Sequence, residues 1–142
     1  VDKGVEVMVF IERYIISEIT KQLEKDFPDK KIIVSNDNIN AKSTFPVVTV
    51  VQSDTFQARQ FIDSSGKETV CDVTFDINVY SNDKHDPVEE CILLLQSISK
   101  VMISKNMTCI TTIKMDSMNN NSIHRYVQKY TGRVAGQYLF TR

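Results

Sequence analysis

The segment Cys71-Asp-Val-Thr-Phe-Asp-Ile-Asn-Val-Tyr80 constrains this chain more than any other stretch. Cys71, Val73, Phe75, Ile77 and Val79 alternate without a break with Asp72, Thr74, Asp76 and Asn78. Successive side chains of a strand point to opposite faces, so this pattern buries one face and wets the other. Such a strand belongs in an antiparallel sheet covered on one side. The dry face then needs a covering layer, and two helical stripes supply it.

The first stripe is Met8, Ile11, Ile15, Ile19, Leu23 and Phe27, apolar at every third or fourth residue. Glu12, Arg13, Glu18, Lys21, Glu24 and Lys25 give that helix a wet face, and Pro28 ends it by pushing Phe27 out of helical space. The second begins at Asp86-Pro-Val-Glu89, where Asp86 caps, Pro87 suits the first helical position and Glu89 completes a capping box. Its stripe runs through Val88, Cys91, Ile92, Leu95, Ile98 and Met102 to about Lys105. Strands are expected at Lys31–Val34, Phe45–Val51, within Met107–Met118, and from about Arg125 to Arg142. The run Asp63-Ser-Ser-Gly-Lys67 reads as a hairpin tip, with Gly66 able to take a positive φ. The order α-β-β-β-α-β-β predicts an α+β fold: an antiparallel β-sheet with two amphipathic helices packed on one face. At 142 residues the chain is read as a single domain, 1–142.

Hydrophobic residues make up 42% and charged residues 25%, which excludes wholesale disorder. With four Gly and three Pro, no linker stands out. The longest apolar run is far short of a membrane span and no leader precedes a cleavage site, so we expect cytoplasmic synthesis and no membrane partner. Cys71, Cys91 and Cys109 lack the paired spacing of a zinc knuckle and are expected to be small buried residues. The net charge of −1 conceals an asymmetry. Residues 1–99 hold ten Lys+Arg against seventeen Asp+Glu, and residues 100–142 hold seven against Asp116 alone. Those halves can pair head to tail between copies, face a polyanion, or simply occupy different faces.

Nothing in the chain spells out catalysis. Phosphate-cradling glycine motifs and the nucleophile elbow are missing from the sequence. His85 and His124 fall in polar turns, and Cys91 sits on an apolar stripe where burial would blunt its thiol. Asp72 and Asp76 share a wet strand face and are expected to be solvated rather than half of a metal site. The sequence therefore predicts a protein that is not an enzyme and takes no cofactor or metal. Arg125, Lys129 and Arg133 share one face of the last strand with Val127 and Thr131, while Tyr126, Tyr130, Tyr138 and Phe140 take the other phase. Stacking aromatics and cations suit single-stranded nucleic acid when they share a face. Here they oppose, which fits a buried aromatic face and a basic outer one.

The run of elements, with "FPVVTVVQSDT", "VTFDINVYSND", "CILLLQSISKVM" and "SIHRYVQKYTGRV" leading to "YLFTR", resembles the small tail-terminator proteins of long-tailed, siphovirus-type bacteriophages. These are also known as tail-completion or head-tail joining proteins. The likeness runs from about Phe10 to the end. The family's finishing strand carries a Tyr-Arg pair, and Phe140-Thr-Arg142 departs from it by one inserted residue. The resemblance implies a virion structural protein at the tail-neck junction, a hexameric ring that caps the tail tube and ends tail polymerisation. Its partners would be further copies of itself, the tail-tube protein and the head-completion or connector protein, with double-stranded DNA passing non-specifically through the lumen. It further implies interface or lumen roles for Arg125, Lys129, Arg133 and Arg142. The loop Gln52–Lys67, with Gln57, Arg59, Asp63 and Lys67, would be a hairpin touching the tube or a neighbour. On that reading Arg133→Glu weakens assembly and leaves the fold intact. The alternatives are a head-closure or connector adaptor of the phage neck and an unrelated non-enzymatic binding module.

Overall fold

A computed structural model of the chain describes residues 11–36, 46–57, 70–115, 123–135 and 139–141, with residues 56, 57, 70, 135 and 139–141 described in backbone only. Its elements run α1 (Glu12–Asp26), β1 (Ile33–Ser35), β2 (Val47–Gln57), β3 (Val70–Ser81), α2 (Pro87–Ser104), β4 (Thr108–Met115), β5 (His124–Ala135) and β6 (Leu139–Thr141). The α+β class and the two helices on one face follow the sequence. Three features depart from it.

First, the sheet is mixed rather than purely antiparallel. The strands lie in the order β1-β2-β3-β5-β4, with β6 beside β5, and β1 pairs parallel with β2. Alternation within one strand reports which face is wet, not the direction of its neighbours, so the parallel pair left no mark in the pattern. Second, β2 continues to Gln57, so Gln52–Gln57 is strand rather than the start of a loop. Third, the C-terminal strand is two strands. After Ala135 the chain returns, and Leu139, Phe140 and Thr141 pair antiparallel with Ala135, Val134 and Arg133.

The helices cover the face presented by the apolar phase of β3. Ile15, Ile19 and Leu23 of α1 and Leu94, Ile98 and Met102 of α2 bury against Val73, Phe75 and Ile77. Tyr130 and Val134 of β5 join them, as the aromatic phase predicted. Burying a side chain of this size stabilises by roughly 1.5–3 kcal/mol, so this stripe-on-sheet contact dominates the fold. Met107 is buried against Gly132, where an added Cβ would stand 2.6 Å from its Sδ, so glycine makes room for the sulfur.

Helix starts are held in two different ways. Asp86 Oδ1 accepts the Glu89 amide at 3.0 Å, the cap read from sequence. Ile11 has no cap of its own; its amide donates to Gln52 Oε1 at 2.9 Å. Glu12, expected on the wet face, is buried beside it, because its carboxylate accepts the Gln52 amide at 2.8 Å and Asn36 Nδ2 at 2.7 Å. The register slips between Gln52 and Asp54, and such a bulge turns an amide away from the ladder. Glu12 takes that amide.

Candidate functional site

The basic phase of β5 lies on the helix-free face of the sheet, as the sequence predicted, but it is not unaccompanied. Register places Arg133 opposite Asp72, Lys129 opposite Asp76, and Arg125 opposite Tyr80, two pairs beyond Asn78. Arg133 Nε donates to Asp72 Oδ1 at 2.8 Å, which pushes the guanidinium pKa up. Asp76 Oδ1 accepts no hydrogen bond in good geometry, and the Lys129 ammonium at 3.1 Å balances it as an ion pair. Arg125 Nε donates to Asn78 Oδ1 at 2.9 Å, and its guanidinium lies 5.6 Å from the centre of the Tyr80 ring. The wet phase of β3 and the basic phase of β5 therefore answer each other within one chain.

The same holds for the charge asymmetry. Lys105 reaches Glu18 at 3.3 Å and Lys100 reaches Asp26 at 3.3 Å. With Lys129 and Arg133, four of the seven cations in residues 100–142 pair with acids from residues 1–99 of the same molecule. The two halves interleave, so the asymmetry along the sequence is largely cancelled in space. Each such pair at a partly wet surface stabilises by roughly 0–1 kcal/mol. Arg133→Glu would set two carboxylates opposite each other, so it would disturb the sheet as well as any interface.

The other predicted positions are placed as follows. Gln57 ends β2 in backbone, while Arg59, Asp63, Lys67 and Arg142 lie outside the described residues. His85 lies in the exposed turn before α2, but His124 opens β5 opposite Ser81 instead of sitting in a turn. Cys71 and Cys91 are buried as expected, and burial pushes the Cys91 thiol up to about 12. Cys109 is exposed, against expectation, because β4 carries it beyond the reach of α2. Among the described residues no group of three or more His, Cys, Asp or Glu gathers as a metal site, and no helix is long and apolar enough to cross a membrane.

What sequence reasoning missed is the edge of the sheet. β4 pairs on one side with β5, and among the described residues nothing pairs with its other side. Seven of its eight residues are exposed, and Ile110 (55%), Ile113 (48%) and Met115 (37%) face solvent on a strand without Gly or Pro. Between its helix-side face and α2 runs a groove of about 330 Å³, with Ile92 and Leu95 on one wall and Thr112 and Tyr126 on the other. Its floor is a hydrogen-bonded relay: Gln128 Nε2 donates to Thr112 Oγ1 at 3.1 Å, and Tyr130 Oη donates to Gln128 Oε1 at 2.8 Å. Tyr130 also meets Ser99 Oγ at 3.1 Å, and burial pushes its pKa up. Ile92 and Leu93 are exposed on the flank of α2 at the same edge, on the helix side, whereas Ile113 and Met115 take the helix-free face with Val127 and Arg125. The signal was present in the run Thr108-Cys-Ile-Thr-Thr-Ile-Lys-Met115, which carries only one charge. Its meaning depended on knowing that the strand ends the sheet. No protein-family model matches this chain, and no curated protein is significantly similar to it.

Proposed function

We propose that this chain is a structural protein of the neck of a long-tailed phage, a tail terminator that assembles as a hexameric ring on the end of the tail tube. The observation that supports this reading is the open margin formed by β4 and the exposed flank of α2. A long edge strand without proline, and charged only at Lys114, is a template for another chain. Stopping a polymer and joining two particles takes a rigid domain with complementary surfaces, and a paired, internally neutralised sheet supplies the rigidity. Subunit contact in this reading rests on the apolar edge more than on Arg125, Lys129 and Arg133, whose charges are already engaged inside the chain. In the ring these three side chains, with Asp72 and Asp76, present a balanced polar face that duplex DNA can pass without being held.

The test is the solution mass of the purified protein by light scattering, alone and with tail-tube protein of its phage, alongside negative-stain images. Rings, or tubes capped at one end, support the reading. A monomer that ignores tubes sinks it, and capping of the connector instead of the tube turns it into the adaptor reading.

A further inference from the structure

Residues 5–10, Val-Glu-Val-Met-Val-Phe, lie outside the described residues, and Met8 of the first apolar stripe is among them. Val5, Val7 and Val9 alternate with Glu6, Met8 and Phe10, and three β-branched residues in six favour an extended strand over a helix. That alternation has a counterpart on β4. Its helix-free face shows Ile113 and Met115, both exposed, opposite Val127 and Arg125 of β5. Its helix side shows Thr112 and Lys114, opposite Gln128 and Tyr126. Lys114 forms no ion pair among the described residues. Thr112 borders the groove of about 330 Å³ walled by Ile92 and Leu95. A strand that fits this edge therefore carries apolar residues on one phase, and on the other an acid followed by an apolar filler.

We propose that residues 5–9 of one copy add to the open side of β4 of a second copy as an antiparallel arm. Val5 lies against Met115, Glu6 against Lys114, Val7 against Ile113, Met8 against Thr112 and Val9 against Thr111. In that register the valines cover the exposed apolar pair on the helix-free face. On the helix side Glu6 supplies a carboxylate to Lys114, and Met8 enters the groove, whose irregular space suits an unbranched thioether. The arm ends at Thr111, because the register of β4 against β5 slips between Cys109 and Thr111. A slip of one residue would turn Glu6 onto the apolar face and the valines towards the groove, so the register is specified. Parallel addition in the same phase would carry Met8 past Met115, the last residue of β4, and away from the groove. β6 meets β5 only from Arg133 onward, beyond Thr131, the partner of Thr108, so the arm lies beside β4 alone.

Covalent geometry decides whose β4 receives the arm. The Ile11 amide is held at 2.9 Å by Gln52 Oε1 of β2. Gln52 pairs with Phe75, Phe75 with Tyr130 and Tyr130 with Cys109. A strand beyond β4 therefore lies four strand spacings from β2, roughly 19 Å. Val9 is two residues from Ile11 and reaches about 7 Å at most, a gap that the Gln52 side chain does not close. A chain cannot lay Val9 beside its own Thr111, so the arm goes to a neighbour. Giving and receiving surfaces differ, and each copy can give one arm while taking another, as a ring requires. The inference rests on the neck reading only for the closing of that ring, in which it names what covers the β4 edge.

The experiment uses the full chain with Cys109→Ser, which removes the exposed thiol and leaves the two buried ones. Val7→Cys and Ile113→Cys are made as separate proteins, mixed in equal amounts and oxidised with copper phenanthroline at millimolar protein concentration. Opposed residues of paired strands stand within disulfide range, so the mixture is expected to give a covalent dimer of one copy of each. A mixture that yields no mixed dimer overturns the proposal. A dimer from Ile113→Cys alone would mean that β4 meets its own kind, and overturns it too. With both cysteines in one chain, a bridge inside a single molecule would put the arm on its own β4 and end the idea of donation between copies. A charge exchange checks the register. Glu6→Lys on the arm protein or Lys114→Glu on the β4 protein should each cut the mixed dimer several-fold, and the two together should restore it. Equal yields throughout would mean that Glu6 does not face Lys114, and overturn the register. Tail-tube capping by the unoxidised wild type is scored in parallel. Mixed dimers without capping remove the neck reading and keep the arm, and capping without mixed dimers does the reverse.

Discussion

Glu12 carries a carboxylate into the margin of the core, and what it does there can be measured. It accepts the Gln52 amide and Asn36 Nδ2, so Glu12→Ala removes the carboxylate that both donate to. That loss costs about 1–3 kcal/mol, against about 0.5 kcal/mol or less for Glu24→Ala on the wet side of the same helix. Urea unfolding of both variants compares them; equal midpoints would mean that the bulge holds α1 by other means. Asp26 gives the second test. The Ser97 hydroxyl and the Gln22 amide donate to it, and Lys100 stands 3.3 Å away, which lowers its pKa from 3.8 to about 2. A carboxylate whose folded pKa is depressed adds stability above its unfolded pKa and loses it as pH falls through the folded one. Wild-type stability should therefore fall between about pH 4 and pH 2, and Asp26→Asn should flatten that part of the profile. An unchanged slope in the variant would assign the acid sensitivity to other groups. Ile15 and Leu23 were legible as core from spacing alone, whereas Glu12 was not. Its burial depends on a bulge forty residues away in the chain, and no local pattern encodes that.

At the scale of elements, the two helices divide cleanly by what fixes them. α2 carries its own start signal: Asp86 caps the Glu89 amide and Pro87 follows, all within four residues. Asp86→Ala should cost about 1 kcal/mol, and Asp86→Ser most of it back again, since serine caps comparably. Thermal melts followed by circular dichroism would show this as a lowered and then restored midpoint. If serine restores nothing, the carboxylate acts through charge at the helix terminus and not through its hydrogen bond. The strands divide in the same way. β3 was readable because every neighbour in its alternation agrees, one face meeting the helices and the other setting Asp72 and Asp76 beside Arg133 and Lys129 of β5. β4 was readable as a strand but not as an edge, and β1 as extended but not as parallel. Pairing partners are a property of the assembled sheet, and the eight residues of β4 look alike whether one neighbour flanks them or two. The candidate interaction surface consequently shifted from the basic residues, prominent in sequence and neutralised in the fold, to Ile113 and Met115, plain in sequence and exposed in the fold.

For the whole molecule the neck reading turns on whether β4 is a contact surface. Added charge on an edge strand hinders pairing, since it stands where another backbone would dock. β4 carries one lysine, Lys114, and Ile113→Lys sets a second beside it, on the face that already holds Arg125 and Lys129. Ile113 is 48% exposed, so the substitution should leave stability within about 0.5 kcal/mol of the wild type. Thermal melts check that the fold is kept. Light scattering and negative-stain images, with and without tail-tube protein, then read assembly. The variant is expected to stay monomeric and leave tubes uncapped under conditions where the wild type forms rings. Rings of normal size from a stably folded Ile113→Lys would mean that assembly runs through other surfaces, and the open side of β4 would then carry no part of the reading.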